Sequence, residues 1–261
     1  MNISSLFSLE GKTALVTGGS KGIGAMIAKG LIDAGSQVYI SSRNEKECIQ
    51  AAKEMSNDKL KCLALPGDVS SLAGINELVE KYSKNEASLD ILVNNAGIVW
   101  QDIIDDFPEE GWDKVLNTNL KSVFFLTQAL LPFLKIPATL EDPSRIINIS
   151  SIAAVRTSGM HDYSYRVSKA GMNQLTRVLA KDLGEFHINT NAIAAGFFST
   201  GLAIAAEPDP VKRKMFAQSN PIPREGNAND MAGISIYMAS KAGAYMTGEV
   251  VTVDGGRSVC F

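Results

Sequence analysis

The chain has 261 residues, 45% of them hydrophobic and 20% charged, and 25 Lys+Arg against 28 Asp+Glu give a formal net charge of -3. This length allows one large α/β domain or two small ones, and the composition is that of a soluble globular protein. The small negative charge provides no general attraction to nucleic acid, so we expect no nucleic-acid partner.

Three cysteines, Cys48, Cys62 and Cys260, are far apart in sequence and lack the spacing of a zinc site. We therefore expect a reduced, cytoplasmic chain and no metal. Residues 1–11 lack a basic segment that leads into an apolar run, and the apolar stretch 123–134 is interrupted by Pro132. Neither export nor a membrane span is expected.

Short apolar runs alternate with helical segments along the chain. Strands are predicted at residues 13–16, 38–40, 60–65, 91–93, 146–149, 190–193 and 250–253. Helices are predicted at 25–32, 44–55, 72–84 and 164–183, with a long helical stretch between 93 and 146. The pattern predicts an α/β fold, namely a Rossmann-type doubly wound parallel sheet of about seven strands with helices on both faces.

A glycine-rich turn, Thr17-Gly18-Gly19-Ser20-Lys21-Gly22-Ile23-Gly24, lies between the first predicted strand and the first predicted helix. Glycines there let backbone N–H groups approach a pyrophosphate at the helix start. The G-x-x-x-G-x-G spacing differs from G-x-G-x-x-G, so a plain glycine turn is the alternative. The candidate cofactor-binding residues are Thr17, Gly18, Ser20, Lys21, Gly22, Ile23 and Gly24.

The end of the second predicted strand, Ser41-Ser42-Arg43, bears on which dinucleotide binds. An acidic side chain here holds a 2′-hydroxyl, whereas Arg or Lys suits a 2′-phosphate. Residues 36–44 contain no acid, and Arg43 and Lys21 are both cationic. We therefore expect NADP(H), unless both side chains are merely solvated surface charges.

Tyr165 and Lys169 are four positions apart in a predicted helix, so they lie on the same face one turn apart. A neighbouring ammonium lowers the pKa of a phenol, and we expect Lys169 to do this to Tyr165. Tyr163 has Val167 at the matching position, which makes Tyr165 the better candidate for a general acid or base.

Five segments occur in the order and rough spacing of the short-chain dehydrogenase/reductase family, which the chain resembles from Gly11 to Gly256. They are residues 17–24, Asn94-Asn95-Ala96-Gly97, Asn119, Ser151 and Tyr165-x-x-x-Lys169. The resemblance implies a single domain over residues 1–261. It also implies an oxidoreductase that transfers a hydride between NADP(H) and a carbonyl or secondary alcohol.

The resemblance assigns catalytic roles to Asn119, Ser151, Tyr165 and Lys169. Tyr165 exchanges the proton, Ser151 hydrogen-bonds the substrate oxygen, Lys169 binds the nicotinamide ribose, and Asn119 helps to order a water that relays protons to the lysine. The second serine of the pair Ser150-Ser151 is the one that matches the family's catalytic serine.

Further cofactor contacts follow from the same resemblance, which extends the candidate set to Asp68, Val69, Asn95, Ala96, Gly97, Gly196 and Thr200. Asp68 and Val69 are expected beside the adenine, although Asp68 is also a candidate helix N-cap.

Two positions depart from the family pattern. Ala195 stands where proline is usual, and we expect a looser turn beside the nicotinamide. Ser151 and Tyr165 are 14 residues apart, one more than is commonest in the family, which indicates an extra residue in the loop 153–162.

The segment 196–227 contains four prolines among charged residues and is either a substrate lid or a misread helix. An apolar lid favours an apolar or chain-bearing carbonyl. Trp100, Met160 and His161 are expected to line the same cleft or to pack under the lid. The apolar lid residues are Leu202, Ala203, Ile204, Ala205, Ala206, Met215 and Phe216.

Within the family, residues 15–24, 89–97 and 244–248 make the chain most similar to NADPH-dependent 3-oxoacyl (β-ketoacyl) reductases, including those associated with rhamnolipid synthesis. This implies a thioester substrate carried on acyl carrier protein or coenzyme A. A polyol, sugar-acid or steroid dehydrogenase is the alternative within the family, and a catalytically idle nucleotide-binding regulator is the alternative of another class. The resemblance also implies a homo-oligomer, a tetramer or dimer, for which the apolar stretches 123–134 and 250–261 are candidate interfaces.

Overall fold

A parallel sheet forms the centre of the computed structural model, which describes residues 2–157 and 160–259, with Ala206 described by its backbone alone. The strand order is β3-β2-β1-β4-β5-β6-β7, and every neighbouring pair is parallel. The strands are β1 (Thr13–Thr17), β2 (Gln37–Ser41), β3 (Cys62–Ala64), β4 (Ile91–Asn94), β5 (Ser144–Ser151), β6 (Ile188–Ala195) and β7 (Val250–Val253). The predicted fold class is confirmed.

The chain reverses its direction of travel across the sheet between β1 and β4, which are hydrogen-bonded neighbours. Connections from these two strands leave toward opposite edges, so a crevice opens beyond their carboxyl ends. This crevice is where the candidate site lies.

Helices cover both faces of the sheet, as predicted. They are α1 (Ile3–Phe7), α2 (Gly22–Asp33), α3 (Glu45–Met55), α4 (Leu72–Ser83), α5 (Glu109–Leu116), α6 (Ser122–Lys135), α7 (Tyr163–Leu183), α8 (Gly201–Ala206), α9 (Pro210–Gln218) and α10 (Ala228–Ala239). Their starts follow ordinary capping chemistry. The Asn44 side chain accepts from the Glu47 N–H at α3, and the Ser71 side chain accepts from the Gly74 N–H at α4.

Two apolar cores pack against the two faces of the sheet. On one face, Val16 and Ile40 pack with Leu31 of α2 and Met231 of α10. On the other face, Leu15 is the neighbour of residues from α4, α6 and α7, among them Leu78, Leu130 and Leu179. Burial of both faces explains why the strands read as continuous apolar runs.

Nearly half of the segment 196–227 is helical, because it contains α8 and α9. Pro210 is the first residue of α9 and Asp209 caps it by accepting from the Val211 N–H at 2.8 Å. A proline at the first helical position is favourable, so it marks a helix start here rather than a loop. Two helices are therefore misread as loop within this segment, and neither α1 nor α10 is predicted by the sequence pattern.

Ala195 does not open a loose turn, so that expectation is wrong. It is buried as the last residue of β6 and is paired with Ser151 of β5 and Val253 of β7. The turn begins at Gly196, whose N–H donates to the Val253 carbonyl at 2.9 Å. Alanine keeps the N–H that proline lacks, so the strand continues to this point.

No helix in the described part of the chain is long and apolar enough to cross a membrane. Cys48 and Cys62 are buried free thiols, and Cys260 lies outside the described residues. Of the candidate interface 250–261, residues 260 and 261 likewise lie outside them.

Candidate active site

A cleft of about 1120 Å³ lies beyond the carboxyl ends of the central strands. It brings the glycine turn, the end of β2 and the segments that follow β4, β5 and β6 into one continuous space. All predicted site residues line this cleft except Gly24 and Asn119. A single cleft therefore contains both the predicted dinucleotide residues and the predicted catalytic side chains Ser151, Tyr165 and Lys169.

The glycine turn has the backbone shape expected for phosphate binding. Gly18 and Gly22 have positive φ angles of 62° and 58°, which side chains other than glycine rarely adopt. Helix α2 then begins with no side-chain hydrogen bond from its N-cap residue, Lys21. The first N–H groups of this helix and its positive dipole end are therefore suited to an anion.

Hydrogen bonds of the Asn95 and Thr17 side chains join the glycine turn to the turn after β4. The Asn95 side-chain amide donates to the Thr17 carbonyl at 2.9 Å and to the Gly18 carbonyl at 3.1 Å. The Thr17 hydroxyl accepts from the backbone N–H groups of Asn95 and Ala96 at 3.0 and 3.1 Å. These bonds fix the bottom of the cleft to the ends of β1 and β4, the two strands between which the chain reverses its direction across the sheet.

Gly24, predicted as a cofactor contact, does not itself line the cleft but supports the glycine turn behind it. A Cβ atom at this position would lie 2.3 Å from the Gly18 carbonyl oxygen and 2.4 Å from the Asn95 amide nitrogen. The absence of a side chain lets α2 approach the glycine turn closely.

The end of the cleft beside β2 combines two cations with one carboxylate that the sequence pattern does not indicate. Arg43 is exposed in the cleft wall, and the Lys21 ammonium lies 3.3 Å from the Glu47 carboxylate. The other Glu47 oxygen accepts from the Asn44 side chain at 3.0 Å. The sequence pattern does not indicate Glu47, because this residue lies in α3 and not at the end of β2.

Asp68 and Val69 line the same end of the cleft. Asp68 accepts from the Ser70 N–H at 3.0 Å in a local turn, whereas Ser71 is the N-cap of α4. The alternative role of Asp68 as the helix N-cap is therefore wrong, because the N-cap lies three residues later in the chain.

Ser151 and Tyr165 meet at the other end of the cleft. Ser151 accepts from the Ala153 N–H at 3.1 Å, and its side chain lies close enough to the Tyr165 phenol to lower that group's pKa. Ser150 points away, because its buried hydroxyl donates to Asn173 at 2.6 Å. Tyr163 packs on Phe107 with ring centroids 5.5 Å apart and does not line the cleft. The choices of Ser151 over Ser150 and of Tyr165 over Tyr163 agree with this geometry.

The expectation that Lys169 lowers the pKa of Tyr165 is wrong. Burial raises the pKa of the Tyr165 phenol, and the groups that oppose the rise are Ser151 and Arg166. The Lys169 ammonium donates to the Ile149 carbonyl at 2.6 Å and lies 5.7 Å from the centroid of the Tyr165 ring. Burial lowers the pKa of Lys169 to about 8.

Asn119 lies behind the cleft in a π-helical turn, Asn117–Lys121, between α5 and α6. It is fully buried, and its amide group bonds to both backbone groups of Ile98 at 2.9 Å and to the Ser168 hydroxyl at 3.1 Å. Both side-chain N–H donors are thereby used, so Asn119 holds the segment after β4 in place. π-Helical turns of this kind are frequent at functional sites.

The substrate end of the cleft is only partly the apolar lid that the sequence suggests. Leu202, Ala203, Ala205 and Phe216 line it, together with Met160. Ile204 and Met215 are exposed, and neither they nor Trp100 and His161 line the cleft. The side chain of Ala206 lies outside the described residues.

Several residues of the cleft are not predicted from the sequence, because they come from separate segments that share no motif. Phe197 follows β6, Arg156 lies in the loop after β5, Arg213 lies in α9, and Arg257 lies after β7. Only the fold brings them together. Among the described residues, no cluster of His, Cys, Asp and Glu is suited to a metal ion.

Comparison with known proteins agrees with this geometry over nearly the whole chain. The family model described as Enoyl-(Acyl carrier protein) reductase matches residues 18–258. The rhamnolipids biosynthesis 3-oxoacyl-[acyl-carrier-protein] reductase of Pseudomonas aeruginosa is 45% identical over 96% of this chain and 97% of its own length. The 2-dehydro-3-deoxy-D-gluconate 5-dehydrogenase of Dickeya dadantii is 35% identical over 97% of this chain and 98% of its own length.

A solved structure, the Pseudomonas aeruginosa RhlG/NADP active-site complex, superposes with a TM-score of 0.93 at 44% identity. The match covers 99% of this chain and 100% of that one. Family model, sequence relatives and three-dimensional fold agree, and the chain therefore belongs to the short-chain dehydrogenase/reductase family of oxidoreductases.

Proposed function

We propose that this chain is an NADPH-dependent reductase of 3-oxoacyl thioesters. The observation that carries the proposal is the convergence, in one cleft, of a dinucleotide-type glycine turn with the side chains of Ser151, Tyr165 and Lys169. The 45% identical relative, which is a 3-oxoacyl-[acyl-carrier-protein] reductase, supports the choice of substrate.

The cleft fits a dinucleotide with a 2′-phosphate. The uncapped start of α2 suits a pyrophosphate, and Arg43 offers a forked guanidinium beside the end of β2. Glu47, the nearby acid, is engaged by Lys21 and Asn44. The related RhlG structure contains NADP, which supports the same choice here.

NADPH in this cleft would supply the hydride that reduces the carbonyl carbon. Tyr165 donates its phenolic proton to the carbonyl oxygen, which becomes the hydroxyl group of the product. The raised pKa keeps the phenol protonated at neutral pH, as a proton donor must be. Ser151 positions the carbonyl oxygen, and Lys169 places a cation one helical turn from the phenol.

An apolar wall supports an acyl-bearing substrate. Met160, Phe197, Leu202 and Phe216 line the cleft beyond Tyr165. Burial of an acyl chain against such side chains contributes about 0.8 kcal/mol per CH₂ group. Affinity should therefore rise with chain length until the wall is filled.

A sugar-acid dehydrogenase is the second candidate. Arginine side chains line the substrate end of the cleft, where they suit a carboxylate, and relatives such as the Dickeya dadantii enzyme act on a sugar acid by name.

The test is the loss of NADPH absorbance with a panel of 3-oxoacyl thioesters of increasing chain length, keto sugar acids and ketosteroids. We expect the thioesters to have the highest kcat/KM. A preference for keto sugar acids would replace the proposal by the second candidate. Binding of NADPH with no turnover across the panel would contradict both and favour a nucleotide-binding regulator.

A further inference from the structure

Three arginines from separate segments form one wall of the substrate end of the cleft. Arg156 lies in the loop after β5, Arg166 lies in the first turns of α7, and Arg257 lies in the turn after β7. We call these residues the arginine cluster. Neither the family motifs nor the proposed proton transfer needs Arg156 or Arg257.

Backbone carbonyl groups hold the cluster together. The Arg166 guanidinium donates to the Arg156 carbonyl, and the Arg156 guanidinium donates to the Arg257 carbonyl. The Arg257 guanidinium stacks on the Phe216 ring, 3.8 Å from its centroid. Because a guanidinium has five N–H donors, a single carbonyl partner leaves Arg156 with donors for a ligand.

Among the described residues that line this end of the cleft, cationic side chains outnumber acidic ones. Arg166 pairs with Asp162 at 2.6 Å, whereas Arg156 has no carboxylate within ion-pair distance among the described residues. Like charges held on one wall repel one another, and a bound anion relieves that repulsion. The cationic lining residues are Arg156, Arg166, Lys212, Arg213 and Arg257, and the acidic ones are Asp162 and Glu207.

The cluster is separate from the cations proposed to hold the cofactor. Arg43 follows β2, whereas Arg156 follows β5, and these strands are three positions apart in the sheet. At the usual spacing between strands, this separation is about 14 Å.

We propose that Arg156, supported by Arg257, binds an oxyanion group of the substrate, either the phosphate of a phosphopantetheine thioester or the carboxylate of an acid. This inference rests on the proposed function in placing the anion on the carbonyl substrate. It adds a specificity-determining subsite, because planar guanidinium groups recognise phosphate and carboxylate oxygens in pairs.

The first experiment measures binding rather than turnover. Isothermal titration calorimetry compares 4′-phosphopantetheine with pantetheine, which lacks the phosphate, on NADP⁺-loaded protein. In Arg156→Met we expect the affinity for phosphopantetheine to fall about tenfold or more and that for pantetheine to stay nearly constant. Arg156→Lys should retain part of the affinity, since it keeps the charge but loses the fork.

Arg177→Met is the matched control, because Arg177 is exposed on α7 and does not line the cleft. It should leave both affinities unchanged. Circular dichroism and NADP⁺ affinity establish that each variant is folded.

A second arm measures the KM of Arg156→Met for keto sugar acids. A raised KM there, with no effect on phosphopantetheine, supports the subsite while contradicting the proposed thioester substrate. Equal weakening of phosphopantetheine and pantetheine would show that Arg156 only holds the C-terminal turn through the Arg257 carbonyl. That result, or no effect on any anionic ligand, would overturn the proposal.

Discussion

Burial acts in opposite senses on the pKa values of Tyr165 and Lys169. It raises the pKa of the phenol and lowers that of the ammonium to about 8. Both shifts favour the uncharged form, as desolvation requires. At neutral pH, Tyr165 is therefore protonated and Lys169 still carries its charge.

The lowered pKa of Lys169 predicts a pH-dependent stability. The ordinary value is 10.5, so between about pH 8 and 10.5 the unfolded chain binds more protons than the folded one. The free energy of unfolding of the wild type should rise across this window by about 3 kcal/mol at most. Lys169→Met should lack this contribution.

Urea denaturation from pH 7 to 10 measures the difference between the two curves. Lys181→Met, which replaces an exposed lysine in the same helix, serves as the control and should keep the rise. Curves for wild type and Lys169→Met that stay parallel would contradict the prediction.

Arg43 decides the choice of dinucleotide in our proposal. Arg43→Ala should weaken NADPH binding by about tenfold or more, because it removes charge-assisted hydrogen bonds to the 2′-phosphate, and should leave NADH binding nearly unchanged. Fluorescence titration with both cofactors measures this. Lys46→Ala, an exposed cation outside the cleft wall, is the control. Equal effects on NADPH and NADH would contradict the assignment.

Side chains within contiguous motifs were found from the sequence, because the spacing of Tyr165 and Lys169 fixes their relation on a helix. Glu47 and Arg156 were not, since their positions in the cleft depend on how α3 and the loop after β5 pack. The direction of the Tyr165 pKa shift was also missed, because spacing gives proximity but neither burial nor the hydrogen bond from Lys169 to Ile149.

Among the elements, α2 approaches the glycine turn closely, and this contact constrains the cofactor end of the cleft. Gly24→Ala would drive a Cβ atom into the Gly18 carbonyl and the Asn95 amide. We expect destabilisation by about 1–3 kcal/mol and weaker NADPH binding, because the turn must shift.

Gly233→Ala in α10 is the matched control, since a Cβ there meets open space. It should be neutral or stabilising by up to about 1 kcal/mol, because alanine favours helix. Urea denaturation and NADPH titration test the pair. If Gly24→Ala resembled Gly233→Ala in both measurements, the proposed close approach would be wrong.

Strands and long helices were predictable because burial on both faces leaves continuous apolar runs, whereas the helices around the lid were not. Pro208 and Pro210 suggested a loop, although Pro210 begins α9. The position of Ala195 within β6 was likewise not predictable from the sequence, since its pairing with β5 and β7 depends on contacts between distant parts of the chain.

For the molecule as a whole, exposed apolar side chains on α7 support the proposal of a homo-oligomer. Val167 and Val178 are both exposed and lie eleven residues apart, which places them on one face of the helix. We expect a dimer or tetramer by light scattering at micromolar concentration, and Val178→Glu should shift it toward smaller species. A monomeric wild type would contradict the proposal.

The arrangement of the sheet explains how one cleft can both bind the cofactor and hold the catalytic side chains. The switch point between β1 and β4 places the cofactor turn, and β5 and α7 bring Ser151 and Tyr165 to the same opening. In the proposed reaction, Tyr165 donates the proton during reduction of the carbonyl group.

The most direct test is the rate of NADPH oxidation by Tyr165→Phe with the best 3-oxoacyl thioester. We predict that kcat falls by about a hundredfold or more while NADPH affinity is unchanged, because only the proton donor is lost. Tyr163→Phe, the neighbouring phenol outside the cleft, should retain near wild-type activity. Appreciable turnover by Tyr165→Phe, with its fold intact, would contradict the mechanism.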